Sequence, residues 1–188
     1  RPVSIEVPVD VWAKPAPGSI GVPAATMPSP DPTSIEKAAA IIASAERPLF
    51  VLGSGAYDAG ESIAQLAELV QAAVTTRRMG HGVLPTQHPL MIPITCAHDL
   101  WPTADVVVGI GSRIEWPLGA WGYDDDLTLI QINVDETELD RHGITDVGIH
   151  ADADQACRAL IDAIGPLTRP SRVPELDELR ASFHDRTS

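Results

Sequence analysis

Short apolar runs alternate along this chain with longer stretches in which apolar and polar residues mix. Four of the runs, "RPLFVL", "AVTT", "ADVVVGI" and "LTLIQINVD", have the length of strands, and "DVGIH" adds a short fifth. Continuous apolar runs mark strands that are covered on both faces, as in parallel sheets. We therefore predict strands over 48–52, 73–76 and 105–110, with two more within 127–135 and 146–150.

The stretches between these runs carry apolar residues at helical spacing. In the first stretch the stripe consists of Ile35, Ala38, Ala39 and Ile42. A capping-box pattern of Thr33 and Glu36 precedes this stripe, so we predict a helix from Ser34 to Ala45.

Similar stripes predict helices over 61–72 and 151–164, and a short helical turn over 96–101. Residues 115–126 contain proline, glycine and three aspartates, and are predicted to form a long loop. Strands that alternate with helices indicate right-handed crossovers. The predicted fold is α/β: a Rossmann-like, doubly wound parallel sheet with helices on both faces.

Composition divides the chain into one domain and its flanking segments. Of 188 residues, 44% are hydrophobic and 21% charged, as in ordinary globular domains. Six prolines between Pro15 and Pro32 indicate a linker over 13–33. We predict a domain over 34–166, a second linker with a nascent helix over 167–188, and a strand-like end of a preceding domain over 1–12. Since the sequence begins at Arg1, we expect a piece of a longer protein.

The charge balance and the cysteines exclude several classes of function. With 13 basic and 26 acidic residues the net charge is −13, which repels nucleic acids and anionic membranes at long range. No apolar run approaches the roughly 20 residues of a membrane span. Cys96 and Cys157 lie far apart, which predicts neither a zinc site nor a disulfide framework. We expect a reducing, cytoplasmic setting.

Glycine pairs follow two of the predicted strands, but neither completes the G-x-G-x-x-G pattern of a dinucleotide-binding turn. After Gly53 and Gly55, Asp58 stands where the third glycine belongs. After Gly109 and Gly111, Ile114 stands there.

Charge separates these two turns. Asp58 and Glu61 would repel a phosphate after the first strand, whereas Arg113 follows the second glycine pair. The planar fork of an arginine suits a diphosphate. The turn at Gly111 therefore has the better charge for a nucleotide.

Other strand ends add polar groups at the same predicted edge of the sheet. Arg77 and Arg78 follow one strand, and Asp135 ends another with an acceptor for a ribose hydroxyl. Asp152 could accept from an adenine amine or cap the last helix. Each residue alone fits a structural role equally well, because doubly wound sheets often end strands in Gly, Asp or Arg. Only the whole set favours a nucleotide crevice.

No catalytic constellation accompanies this crevice. The sequence shows no nucleophile elbow and no Ser–His–Asp order. His81, His88 and His98 lack metal-ligand spacing, so we predict turn and surface roles and no metal site. Trp116 and Trp121 either stack on a flat ring or pack against a neighbouring domain. The residues themselves predict a ligand-binding site and no catalytic group.

The order of the segments resembles the central domain of thiamine-diphosphate-dependent enzymes, the acetolactate synthase, pyruvate oxidase and benzoylformate decarboxylase group. The resemblance rests on "RPVSIEVPVDVW", "RPLFVLGSGA", "VTTRRMGHGVLPTQHP", "ADVVVGIGSRIEW", "LIQINVDETEL" and "VGIHADADQACRAL" taken in series. It implies a six-stranded parallel sheet. It also implies a parent lyase or transferase that acts beside the carbonyl of a 2-keto acid or acyl donor through the thiazolium ylid of the cofactor.

The resemblance also implies cofactors and partners. Relatives hold thiamine diphosphate and Mg²⁺ between two outer domains of the same polypeptide, through motifs that this sequence does not contain. We therefore expect the fragment to bind no thiamine diphosphate and to be inactive alone. The outer domains and further copies in a homo-oligomer are the expected partners.

Some relatives carry FAD or ADP in the central domain, and in others it is empty. By matched position the cofactor-binding residues are Gly53, Ser54, Gly55, Gly111, Arg113, Asp135 and Asp152. Arg113 would meet the phosphates, and the two aspartates would face the ribose and adenine. Here "IEWPLGAWG" replaces the paired aspartates and second arginine of acetolactate synthases. The alternative is a structural and oligomerisation domain without nucleotide, in which Arg113 pairs with an acid such as Glu115 or Asp126.

Overall fold

The domain is built on one sheet of five parallel strands in the order β2-β1-β3-β4-β5. The computed structural model describes residues 4–15, 18, 21, 26–124 and 126–187. The strands are β1 (Pro48–Leu52), β2 (Ala73–Thr76), β3 (Val106–Ile110), β4 (Thr128–Asn133) and β5 (Val147–His150). Every residue of β1 and β3 is buried, which confirms the coverage of both faces. The chain winds outward in both directions from the boundary between β1 and β3, which is the topological switch point.

The prediction of six strands was wrong, and the sixth place is taken by a single backbone bridge. Beyond β2, the N–H of Val74 donates to the Leu90 carbonyl and the N–H of Ile92 donates to the Val74 carbonyl, both at 2.8 Å. Pro89 and Pro93 flank this bridge. Pairing ends there because the next donor on one side, the Leu90 N–H, is directed at His88 Nδ1 at 3.3 Å. On the other side a helix begins at Ile94.

In the described part of the chain, six α-helices surround the sheet. They are α1 (Pro32–Ser44), α2 (Gly60–Val70), α3 (Ile94–Leu100), α4 (Glu115–Trp121), α5 (Ala153–Ile164) and α6 (Val173–Thr187). Helices α1 and α2 both pack against α5, whereas α3 packs against α6. The predicted α/β class and doubly wound parallel sheet are therefore confirmed.

Two local helix predictions were wrong. The cap of α1 is Asp31, which accepts from the Ser34 N–H at 2.9 Å, rather than Thr33. Pro32 takes the first helical position, where its fixed φ fits and no N–H is needed. Residues 115–121 form α4 instead of a loop, because Pro117 also falls in the first turn of its helix.

The opening segment does not form the predicted strand in its described part. Residues 9–11 make one turn of 3-10 helix, and Ile5, Val9 and Trp12 are exposed. A strand needs a neighbour to pair its backbone groups, and no described residue pairs with this segment as a strand. Residues 1–3, which carry the start of the resemblance, lie outside the described residues.

The C-terminal segment packs on the domain through arginines and one leucine. Leu176 of α6 is fully buried. Arg169 donates to carbonyls at the end of α1, among them that of Ile42 at 3.3 Å. Arg180 donates to the Met91 carbonyl at 2.8 Å. Such bonds to backbone oxygens leave no periodic signal in the sequence, which explains why only a nascent helix was predicted over these residues.

Glu175 joins α6 to the start of β1. Its carboxylate accepts from Arg172 Nε at 3.0 Å and from Arg47 Nη2. Burial raises the pKa of Glu175, but the hydrogen bonds and charges of Arg172 and Arg47 outweigh it, so that the pKa is lowered overall. The ionised Glu175 with its two arginines therefore stabilises the fold at pH values above the ordinary pKa of a glutamate. This stabilisation is lost as the pH falls through the lowered pKa of Glu175.

We expect Glu175→Gln to lower the thermal midpoint at pH 7 by roughly 2 °C, the scale of a partly exposed ion pair. The control is Glu178→Gln, on the exposed side of α6, which should leave the midpoint unchanged. The difference from wild type should vanish as the pH falls through the lowered pKa of Glu175. A constant difference between pH 7 and pH 3 would contradict the charge-pair account.

Candidate functional site

A crevice of about 750 Å³ lies along the carboxyl ends of β1, β3 and β4, at the topological switch point. Its volume falls within the range of small-molecule sites. Six of the seven predicted site residues line it: Gly53, Ser54, Gly55, Gly111, Arg113 and Asp135. Arg77 and Arg78, which follow β2, line it as well. The structure thus brings together the groups that the sequence assigned to one edge of the sheet.

The glycines of the crevice are explained by contact between two loops. The N–H of Gly55, after β1, donates to the Gly111 carbonyl, after β3, at 3.1 Å. A Cβ on Gly53 would lie 2.2 Å from the Gly111 oxygen. Gly111 has φ +56°, and a Cβ there would lie 2.3 Å from the carbonyl carbon of Gly55. These residues are glycine because the two backbones touch, and the contact forms the floor of the crevice.

Ile114 fixes the loop that carries Arg113. Its side chain is buried, and its δ-methyl would be 2.2 Å from a Cβ on Gly109, so the glycine in β3 makes room for it. Ile114 has φ +55°, a left-handed conformation that is rare for a β-branched residue. Gln131 Nε2 donates to the Arg113 carbonyl at 3.5 Å. The sequence analysis missed this role of Ile114, because nothing in the pattern signals a left-handed isoleucine.

Arg113 already has an acidic partner. Its Nη2 lies 3.0 Å from Glu138 Oε1, and the Arg113 side chain is 59% exposed. Arg141 Nη1 donates to both oxygens of Glu138, at 3.0 and 3.2 Å, and this hydrogen bond raises the pKa of Arg141. In the structural alternative Arg113 was expected to pair with an acid such as Glu115 or Asp126; the acid is Glu138, and Glu115 lies 3.6 Å from Arg141.

Glu138 was missed by the sequence analysis although a signal existed. It lies three residues after Asp135, which places both carboxylates on one short turn, the 3-10 helix Glu136–Glu138 with Asp135 as its cap. An acid at that distance from the end of β4 could have been weighed as a partner for Arg113.

Asp135 is held as a carboxylate at the end of β4. The Thr137 hydroxyl donates to its Oδ1 at 2.7 Å and the Thr137 N–H at 3.0 Å. These bonds, with a smaller contribution from the charge of Arg113, lower the pKa of Asp135. Because both bonds end on Oδ1, Oδ2 keeps its capacity to accept from a ligand hydroxyl.

Asp152 is not brought into the crevice. It caps α5 by accepting from the Gln155 N–H at 3.1 Å, and its own N–H donates to the Pro28 carbonyl at 3.0 Å. Of the two roles considered for this residue, the geometry supports the helix cap.

The tryptophans form a cluster beside the crevice. Trp121 contacts Trp101 and Trp116 edge to face, with centroids 5.2 and 5.3 Å apart. The Arg77 guanidinium lies 4.3 Å above the ring of Trp116, a cation–π contact. Trp121 therefore packs within the domain, whereas Trp116 is half exposed and forms part of the crevice wall.

The described residues contain no group of three His, Cys, Asp or Glu side chains that could hold a metal ion. Cys157 is buried on α5, and burial raises the pKa of its thiol to about 12. His81 lies 3.1 Å from the Thr76 hydroxyl, outside any such cluster. Nor does any helix in the described part of the chain have the length and apolar character to cross a membrane. The described lining of the crevice offers charged groups and hydrogen-bonding groups.

The fold and the crevice together define a doubly wound α/β domain with a crevice at its switch point. Residues 35–160 match the family described as thiamine pyrophosphate enzyme, central domain, and the chain belongs to this family.

Two curated relatives and one solved structure illustrate the similarity. Glyoxylate carboligase of Escherichia coli O157:H7 is 30% identical over 80% of this chain and 27% of its own length. A probable acetolactate synthase large subunit of Methanocaldococcus jannaschii is 31% identical over 80% of this chain and 28% of its own length. Benzoylformate decarboxylase from Polynucleobacter necessarius superposes with a TM-score of 0.64 at 19% identity, over 88% of this chain and 33% of that one. The chain thus spans little more than a quarter of these curated relatives.

We expect Gly111→Ala to destabilise the domain by more than about 2 kcal/mol, since a left-handed φ is added to a backbone clash. The measurement is the free energy of unfolding in urea. Gly119→Ala in α4 is the control, because a Cβ there meets nothing within 4 Å. An alanine tolerated equally well at both positions would contradict the loop contact.

Proposed function

We propose that this chain is the central domain of a thiamine-diphosphate-dependent lyase or carboligase acting on 2-keto acids or acyl donors. We propose further that its crevice binds the adenosine diphosphate part of FAD or of free ADP. One observation carries the second proposal: Arg77, Arg78 and Arg113 line the same crevice as Asp135, at the switch point of the sheet. Nucleotides bind at that place in doubly wound folds.

The donor set suits such a ligand. Arg113 is more than half exposed and uses one nitrogen for Glu138, so the rest of its five-donor fork can meet a phosphate. The hydrogen bonds of Thr137 lower the pKa of Asp135, and this carboxylate can accept from a ribose hydroxyl. The half-exposed ring of Trp116 provides an apolar surface for a flat base or ring.

The chemistry of the parent enzyme lies outside this chain in our proposal. Thiamine diphosphate, when bound, supplies carbanion stabilisation next to a carbonyl. The described residues do not fit that cofactor with its Mg²⁺, because they offer no cluster of metal ligands. The proposed partners are the outer domains of the same polypeptide and further copies in a homo-oligomer. The exposed Ile5, Val9 and Trp12 support an opening segment that packs on the preceding domain.

A second candidate is a structural domain with a vestigial crevice. It is favoured by one observation: two of the cations already have protein partners, Arg113 on Glu138 and Arg77 on Trp116. In that case the crevice takes no nucleotide, and the domain serves only packing and assembly.

Calorimetric titration with ADP and with FAD tests the nucleotide proposal. We expect micromolar binding, and Arg113→Ala should weaken it about tenfold or more, the scale of a hydrogen bond between charged groups. The control is Arg158→Ala, which removes an exposed, ion-paired arginine of α5 that does not line the crevice. Affinity unaffected by Arg113→Ala would refute its assigned role, and absence of any binding would favour the structural candidate.

We also expect this chain to bind no thiamine diphosphate in the presence of Mg²⁺, since the cofactor contacts are proposed to lie in the outer domains. Calorimetry with both ligands, at concentrations up to the millimolar range, is the measurement. Saturable heat at a ratio of one thiamine diphosphate per chain would refute the expectation.

A further inference from the structure

Glu138 contacts Arg113, the cation of the crevice that we propose to bind phosphate. It lies on the turn after β4 and lines the crevice, yet its side chain is only 13% exposed. Arg141 holds both carboxylate oxygens from one side, while Arg113 contacts Oε1 from the other at 3.0 Å. Its position is therefore fixed by two arginines, of which only Arg113 lines the crevice.

Glu138 also decides the net charge of the crevice. Three arginines, Arg77, Arg78 and Arg113, face three carboxylates, Glu115, Asp135 and Glu138, among the described lining residues. These formal charges cancel. Without Glu138 the lining would carry one net positive charge, and Arg113 would lose the nearest negative group. A carboxylate in contact with the guanidinium opposes the attraction of any phosphate that binds the same guanidinium.

We propose that Glu138 is a specificity-determining residue, which restricts the crevice to anions of low charge and disfavours terminal phosphates. The inference rests on the proposed nucleotide function and deepens it. The favoured class is the internal diphosphate of a dinucleotide, in which each phosphate carries one negative charge. A terminal phosphate carries about 0.5 to 1 further negative charge at neutral pH, and it meets the Glu138 carboxylate at the same guanidinium.

The competing role for Glu138 is simple orientation of Arg113. In that case the carboxylate would help every phosphate ligand, because it would hold the guanidinium towards the crevice. The two roles predict opposite effects of Glu138→Gln. The substitution keeps the size and a hydrogen-bonding amide but removes the charge, so an orienting role would give weaker binding of all ligands and a charge-selecting role tighter binding of highly charged ones.

The experiment is a calorimetric titration of wild type, Glu138→Gln and Glu136→Gln with FAD, ADP and inorganic pyrophosphate, at low and physiological salt. Glu136 lies on the same turn, is exposed and does not line the crevice, so its removal controls for the change in total charge. We expect Glu138→Gln to tighten pyrophosphate and ADP about tenfold at low salt, and less at physiological salt because of screening. FAD should change by about threefold or less. Thermal melting of each variant checks that the fold is retained.

The outcomes separate this inference from the nucleotide proposal. Nucleotide binding by wild type with no change, or with uniform weakening, in Glu138→Gln overturns the inference and leaves the proposed function standing. Binding of FAD and ADP by wild type, with pyrophosphate and ADP bound about tenfold more tightly by Glu138→Gln and FAD nearly unchanged, supports the inference. Absence of binding by all three proteins overturns both. An equal gain in Glu136→Gln would assign the effect to total charge and would also overturn the inference.

Discussion

The contact between the loop after β1 and the loop after β3 is the constraint on which the site depends. Gly55 donates to the Gly111 carbonyl, and a side chain on Gly53, Gly55 or Gly111 would collide with the opposite backbone. This approach is possible because β1 and β3 are neighbours in the sheet and the chain leaves them towards opposite edges. The same contact forms the floor of the crevice and fixes the point from which the Arg113 loop departs. The glycines thus act on ligand binding through the shape of the loops.

Charge then decides what this shape can hold. The three arginines at the ends of β2 and β3 would make a strong anion site if they stood alone, but two of them are paired. Arg77 lies on the ring of Trp116, and Arg113 lies against Glu138, which is itself held by Arg141. In a chain with a net charge of −13, such pairing limits the attraction for anions to the few donors that stay accessible. The crevice is accordingly suited to a ligand that gains from shape and hydrogen bonds as well as from charge.

The features that could be predicted from sequence are those that repeat along the chain. The strand Pro48–Leu52 and the helix that starts near Pro32 followed from apolar runs and stripes, because burial of one face imposes a period. The grouping of Gly53, Gly111, Arg113 and Asp135 followed from the rule that parallel strands end at one edge. The partner of Arg113 was missed although Glu138 lies only three residues after Asp135, because the sequence alone does not show that this turn brings the carboxylate to the guanidinium.

The other wrong predictions also concern contacts that do not recur at a regular spacing along the chain. The arginines of the C-terminal segment donate to backbone carbonyls such as that of Met91. The bridge at Val74 replaces a sixth strand because the Leu90 N–H turns to His88 and a helix begins at Ile94. Family resemblance supplied the six-stranded expectation but could not report these local differences. The backbone contacts themselves explain these differences.

A crystal structure of this chain grown with ADP would test the central claim most directly. The account predicts electron density for the diphosphate beside Arg113, above the contact of Gly55 with Gly111, and for the ribose within hydrogen-bond distance of Asp135 Oδ2. A nucleotide bound elsewhere on the domain, or an empty crevice at a saturating concentration of ADP, would contradict it.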